Sequence, residues 1–228
     1  MTRFFAKWHV RIYCTLAGKR ILLELTNVNT LIFDLGGVIV DLAPDRTLSE
    51  FAKLSGKPMN EVLQLHATHP AFHAYETGRI GETEFRDAVR AMFQANASDQ
   101  EIDRCWNAML IGIPDKKLEM LTLLKKYFTT MALSNTNSIH LKYINEVILE
   151  GQSLDDYFHH AYYSHTLGLR KPDRGIYEFV LKTHRITPDK AFFLDDNADN
   201  IAAAKSVGVE ALLIEHPDKV IDLFRNYA

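Results

Sequence analysis

Apolar positions in this chain fall into two kinds of run. Leu31-Ile32-Phe33, Met131-Ala132-Leu133 and Ala191-Phe192-Phe193-Leu194 are short and continuous, and each stops just before a polar or acidic residue. Runs of this length that are apolar at every position predict strands buried on both faces. Elsewhere the spacing is that of helices: Leu118, Leu121 and Leu124; Ile139, Tyr143 and Ile144; Ile176, Phe179 and Val180; and the stretch Ile201 to Val207. Ala161-Tyr162-Tyr163 and Val209 to Ile214 complete the strands, and Val220 to Phe224 closes the chain as a short helix. Strands alternating with helices predict an α/β fold with a doubly wound parallel sheet. Ligands of such sheets bind beyond the carboxyl ends of the strands.

Residues 42–114 interrupt that alternation. Thr47 and Glu50 have capping-box spacing, Pro58-Met59-Asn60-Glu61 opens a second helix, and Phe85, Val89, Met92 and Phe93 share one helical face. Ser98 and Glu101 form another capping box ahead of Ile102, Cys105, Trp106 and Met109. With no period-two alternation, the stretch predicts an all-helical insert of three or four helices, which leaves 29–41 and 115–228 as the α/β core. Residues 1–28 stand apart: Arg3, Lys7, Arg11, Lys19 and Arg20 precede the first acid, Glu24. A Cys and a Thr interrupt their apolar run and no small-x-small cleavage pattern follows. The segment therefore reads as an appended strand–helix piece, or as an upstream extension of no catalytic importance, rather than a leader.

Composition narrows the class. With 47% hydrophobic and 24% charged residues and a formal net charge of −3, nothing draws the chain to nucleic acid or to an anionic membrane surface. No run approaches the roughly 18 apolar residues of a membrane span. Cys14 and Cys105 are far apart and in no metal-ligand spacing, which predicts two reduced thiols in a cytoplasmic protein.

Four groups stand at predicted strand ends: Asp34, Ser134-Asn135, Lys171 and Asp195-Asp196. Singly, each has a plain explanation as a helix cap, a surface lysine or a solvated turn. Together, at one sheet edge, they fit phosphoryl transfer. A phosphate ester repels an incoming anion, so a nucleophilic carboxylate at Asp34 needs positive charge beside it. A divalent ion held by Asp34, a neighbouring backbone carbonyl and Asp196 would supply it, and Mg²⁺ suits hard oxygen ligands of this kind. Ser134 and the N–H groups opening the next helix would grip phosphate oxygens, and Lys171 would neutralise the transferring group. Asp34 would then carry a covalent aspartyl-phosphate until water hydrolyses it.

The strand leading to Asp34, Ser134-Asn135-Thr136, Lys171-Pro172-Asp173 and Phe193-Leu194-Asp195-Asp196-x-x-x-Asn200 resemble the four motifs of the haloacid dehalogenase-like superfamily across residues 29–228. The helical insert sits where that superfamily carries a C1-type cap. Glu76-x-Gly78-x-Ile80 followed by Glu84-Phe85 is similar to a segment recurring in such caps. The run Asp34 to Asp41 and the loop Asp195 to Asn200 look most like bacterial sugar-phosphate phosphatases of the glucose-1-phosphate phosphatase type. The resemblance implies a Rossmann-like core and a magnesium-dependent phosphatase acting on a small phosphorylated metabolite. The metal would be bound by Asp34, the Gly36 carbonyl and Asp196 with Asp195 in support, and the phosphate by Ser134, Asn135 and Lys171. The cap would hinge near 41–45 and 111–115.

One position departs from that pattern. Phosphatases of the superfamily usually carry a second Asp two residues after the nucleophile, as proton carrier for the leaving group; here that residue is Gly36. General acid–base catalysis is typically worth about 10²–10⁴-fold. Three alternatives follow: a leaving group of low pKa, a cap residue such as His73, Tyr75, Glu76 or Arg79 reaching in, or a regulatory phospholigand-binding protein without turnover. Asp41 is expected to be solvated. The superfamily's dehalogenases also lack the second Asp but use no metal, so the adjacent carboxylates Asp195 and Asp196 favour phosphate chemistry. His66, His69 and His73 share rough helical spacing, but Pro70 interrupts it, and they read as cap-lining or surface residues rather than a zinc site.

Overall fold

The computed structural model describes residues 9–16 and 19–227. The chain opens with an antiparallel pair, β1 (His9–Leu16) and β2 (Lys19–Thr26), with His9 opposite Thr26 and Leu16 opposite Lys19. Over residues 9–16 and 19–26 this corrects the strand–helix reading; residues 1–8, 17 and 18 lie outside the described residues. Val10, Ile12, Tyr13 and Thr15, with Ile21 and Thr26 across the pair, are types that favour the extended backbone. The side chain of Cys14 lies outside the described residues.

β3 (Thr30–Phe33) follows, and then β4 (Asp41–Leu42) leads into five helices: α1 (Pro44–Ser55), α2 (Met59–Thr68), α3 (Pro70–Glu76), α4 (Glu82–Phe93) and α5 (Asp99–Asn107). β5 (Leu110–Gly112) returns antiparallel to β4, closing the excursion. The alternating part comprises α6 (Asp115–Leu124), β6 (Thr129–Ser134), α7 (Ser138–Tyr143), β7 (His160–Tyr163), α8 (Ser164–Leu167), α9 (Arg174–His184), β8 (Ala191–Asp195), α10 (Ala198–Ser206), β9 (Glu210–Leu213) and α11 (Lys219–Leu223).

Five strands form one parallel sheet in the order β7-β6-β3-β8-β9. From central β3 the chain first builds outward on one side and then crosses to the other. The carboxyl end of β3 is therefore the point where strand order reverses, which is where such sheets open a crevice. Alternate residues along each strand face opposite layers. Leu31, Phe33, Ala132, Phe192 and Leu194 pack with Met120, Leu121 and Leu124 of α6 and Val220 and Leu223 of α11. Ile32, Met131, Leu133 and Phe193 pack with Ile176, Tyr177 and Val180 of α9 and Ile201 and Ala204 of α10. Phe179, expected beside Ile176 and Val180, is exposed at 39%.

The helices α1–α5 have a core of their own, in which Phe51, Phe72, Tyr75, Phe85, Phe93 and Trp106 meet Ile139 of α7. The expected three or four helices are five. Pro70 does interrupt the helical stretch, but it occupies the first turn of α3, where its missing N–H costs nothing. The Ser98–Glu101 capping box forms as expected. Thr47 does not cap. Pro44 starts α1 earlier, and the Thr47 hydroxyl donates to the Trp106 carbonyl at 2.9 Å and accepts from the Met109 N–H at 3.1 Å. The sequence reading also missed the β4–β5 ladder at the base of this layer, whose strands are too short to alternate visibly. Cys105 is a buried free thiol, as expected. Among the described residues no helix is long and apolar enough to cross a membrane.

Candidate active site

The register of the sheet brings the four predicted groups to one edge. Phe33 pairs with Ala132 and with Leu194, so Asp34 emerges beside Asp195, and Ser134 ends β6 on the other flank. The Asp34 N–H donates to the Leu194 carbonyl at 2.8 Å. Asp34 and Lys171 are almost completely buried, and Asp195 is fully buried. Lys171 Nζ lies 2.8 Å from Asp34 Oδ1 and 2.6 Å from Asp195 Oδ2, so one cation sits between two carboxylates.

Asp34 Oδ1 also accepts from the Leu35 N–H at 2.7 Å. Its Oδ2 has no hydrogen-bond partner among the described residues, which leaves it open to an incoming group. Burial pushes the Asp34 carboxyl up, to about 7; Lys171 pulls it down, and the charges of Asp195 and Asp196 push it further up. Asp195 is saturated. Besides Lys171 it accepts from the Asn197 N–H at 2.8 Å and from Asn200 Nδ2 at 2.9 and 3.1 Å. It therefore anchors Lys171 rather than standing open as a ligand. Asn200, quoted in a motif but given no role by sequence, is the residue that holds Asp195.

Asn135 is similarly occupied. Its Oδ1 accepts from the Lys171 N–H at 2.9 Å and its Nδ2 donates to the Lys171 carbonyl at 2.8 Å. Its side chain thereby clamps the loop that carries the lysine. Ser134 and Gly36 line the cavity above the cluster.

Asp34, Asp195 and Asp196 bring carboxylate oxygens within 4.8 Å of one another, the one such metal-sized group among the described residues. The donors are all hard oxygens, a set suited to magnesium, calcium or manganese. Gly37 makes room for it. With φ of +70°, it sits where a Cβ would fall 2.1 Å from Asp196 Oδ2, so only glycine lets that carboxylate lie against the loop. A Cβ on Gly36 would meet Leu42 Cδ1 at 2.8 Å. Leu42 thus occupies the space that a side chain at 36 would need.

The cavity, of about 410 Å³, runs between the sheet edge and the helical layer. Phe72, Trp106, Leu48 and Met109 supply apolar wall, and His66, His69, His73, Glu76, His140 and Arg170 supply polar groups. Of the four cap residues considered as proton carriers, His73 and Glu76 line it. Tyr75 is buried against Ser138 Oγ at 2.9 Å, and Arg79 is exposed away from it. The three histidines form no metal-sized group, in line with the reading as cap-lining residues. Asp41, expected to be solvated, instead accepts from Lys117 Nζ at 2.7 Å, and Lys117 is completely buried. A charge in that position needs a partner, and Asp41 provides it.

The seam between the layers holds a buried imidazole. His140 of α7 stacks on Trp106 at 4.7 Å, and its Nδ1 lies 2.9 Å from Asn107 Oδ1 at the end of α5. Burial pushes its pKa down to about 3. The unfolded chain takes up this proton near the ordinary value of about 6.5, so stability present at neutral pH is lost as pH falls from there toward 3. That amounts to about 2 kcal/mol by pH 5. The melting temperature is expected to fall between pH 7 and 5, and less steeply in His140→Gln. Equal slopes in the two proteins would remove His140 as the cause.

A model of the haloacid dehalogenase-like hydrolase family matches residues 28–208. The chain belongs to this family. Within it, the chain is 29% identical over 191 residues to D-ribitol-5-phosphate phosphatase of Bacteroides thetaiotaomicron, an alignment covering 83% of this chain and 93% of that protein. A family enzyme from the same organism, crystallised with magnesium and inorganic phosphate, superposes with a TM-score of 0.76 at 31% identity, covering 82% of this chain and 93% of the other. A predicted hydrolase of the family from Porphyromonas gingivalis, at 24% identity and a TM-score of 0.75, shares the fold, covering 82% of this chain and 91% of its own. The parallel core and the helices above it are those of the family.

Proposed function

We propose that the chain is a magnesium-dependent phosphatase that hydrolyses a small, sugar-phosphate-like metabolite through a covalent aspartyl-phosphate on Asp34. The observation that carries this reading is the seat of Asp34: at the sheet's reversal point, 2.8 Å from Lys171 and in one metal-sized group with Asp196. The relatives acting on D-ribitol 5-phosphate or holding magnesium and phosphate support it.

In this assignment Asp34 attacks phosphorus as the bond to the ester oxygen breaks. That oxygen takes its proton from water or from a cavity-lining group such as His73. Water then hydrolyses the aspartyl-phosphate to return Asp34 and inorganic phosphate. Lys171 neutralises charge on the transferring group and, held by Asp195, cannot swing away. Ser134 and the N–H groups that follow it hold phosphate oxygens, while Asn135 sets the height of Lys171. Asp34, Asp196 and the Gly36 carbonyl would hold magnesium, which when bound draws charge from the phosphoryl group. Helices α1–α5, residues 42–114, act as a cap over the core segments 29–41 and 115–228. The β4–β5 ladder is its hinge, and closure excludes water from the cavity.

The direct test is phosphate release from a panel of sugar and polyol monophosphates with and without magnesium. Release that needs magnesium and stops on chelation is expected. No release from any ester, or release indifferent to chelator, would contradict the proposal. Gly37→Ala should weaken magnesium at least tenfold in a titration, because the new Cβ must displace the Asp196 carboxylate. Unchanged affinity would take Asp196 out of the metal site.

A further inference from the structure

Among the described residues, Arg170 and Glu76 are the only ones lining the cavity that carry a formal charge, leaving histidines aside. They face each other, with Arg170 Nη2 3.3 Å from Glu76 Oε2. Glu76 is the one carboxylate paired with that guanidinium among the described residues, and the Arg170 Nε is buried without an acceptor. Lys171 pairs with Asp34 and Asp195 and, in the proposed mechanism, is committed to the transferring phosphoryl group. The imidazoles of His66 and His140 are pushed toward the neutral form by burial, and His69 Nδ1 accepts from the Ala71 N–H. His73 also lines the cavity and is exposed. The part of the cavity beyond the phosphate therefore presents imidazoles and an aromatic wall of Phe72 and Trp106, with its one guanidinium already neutralised.

We infer that Glu76 is a specificity-determining residue that masks Arg170 and restricts the enzyme to phosphate monoesters of uncharged polyols. The inference rests on the phosphatase reading and names the substrate class of that site. A second anionic group on the substrate, a carboxylate or another phosphate, would enter without a counter-charge and beside the Glu76 carboxylate. Desolvating it there is unfavourable, whereas hydroxyls can exchange hydrogen bonds with the imidazoles. Glu76 is well placed to stay put. Its carbonyl accepts from the Ser164 hydroxyl, and neighbouring Gly78, φ +67°, abuts the His165 carbonyl, where a Cβ would fall 2.1 Å from the oxygen. The acid is thus held at the seam by its own backbone.

The test compares kcat/KM for D-ribitol 5-phosphate and 2-phosphoglycolate, with magnesium, at pH 8, above the ordinary imidazole range. The wild-type protein should prefer the polyol ester by at least tenfold. Glu76→Gln, which keeps shape and backbone contacts, should raise the ratio for 2-phosphoglycolate about tenfold by releasing Arg170, a gain typical of one charge-assisted hydrogen bond. Glu76→Gln combined with Arg170→Gln should abolish the gain. An unchanged ratio in a Glu76→Gln protein that melts normally, or a wild type indifferent to the carboxylate, would overturn the inference while leaving the phosphatase reading standing. If the wild type hydrolyses neither these esters nor p-nitrophenyl phosphate, the phosphatase reading itself fails, and this inference with it.

Discussion

Asp34→Asn is expected to abolish phosphate release while leaving the protein at least as stable as before. The loss should be on the order of 10⁴-fold or more in kcat, as for other covalent nucleophiles. Stability should hold because the native carboxylate is an electrostatic burden. It is buried, and it lies in a cluster with Asp195 and Asp196. Burial is the largest cause of its raised pKa, and Lys171 only partly offsets it. With Asn in place, Lys171 keeps Asp195 at 2.6 Å and one like charge is gone. Steady-state assay and thermal melting of the same preparation check both halves. Such opposition between stability and activity is expected where a site concentrates charge. A variant that melts well below the wild type would show that Asp34 is a structural carboxylate.

Lys171→Met should be damaging on both counts. It strips the shared cation from two buried carboxylates, a situation that costs about 3–5 kcal/mol. It also removes the ammonium 5.3 Å from the Phe193 ring. For a domain of this size that lowers the melting temperature by roughly 10 °C. Magnesium should recover part of the loss by supplying charge at Asp34, the acid it shares with Lys171, but not the turnover. The double variant with Asp34→Asn should melt above Lys171→Met alone, since one of the stranded carboxylates is gone. Destabilisation that is simply additive in the double variant would contradict the coupling.

How much of this was legible in the sequence depends on what each residue's neighbours reveal. Asp34, Ser134, Lys171 and Asp195-Asp196 were legible because strand ends are marked by where apolar runs stop, and a parallel sheet gathers those ends on one edge. The partners were not legible. Nothing along the chain says that Asn135 faces the backbone of Lys171, 36 residues on, or that Asn200 is needed to saturate Asp195. Lys117, beside Lys116 on a helix, looks like any solvated lysine, and its burial depends on pairing with Asp41 of β4. Thr47 misled for a local reason, since Pro44, with its fixed φ, is the stronger helix start. Glu76 was legible as part of a cap segment, yet its pairing with Arg170 required the two layers to be brought together.

A covalent step on Asp34 is open to direct trapping. The protein, magnesium and an accepted monophosphate should be mixed, quenched in acid within the first turnover and digested for peptide mass analysis. A phosphoryl adduct on the peptide carrying Asp34, absent from Asp34→Asn and decaying as phosphate appears, is the predicted result. Full turnover with no adduct on that peptide at any time point, or an adduct on a different side chain, would contradict it.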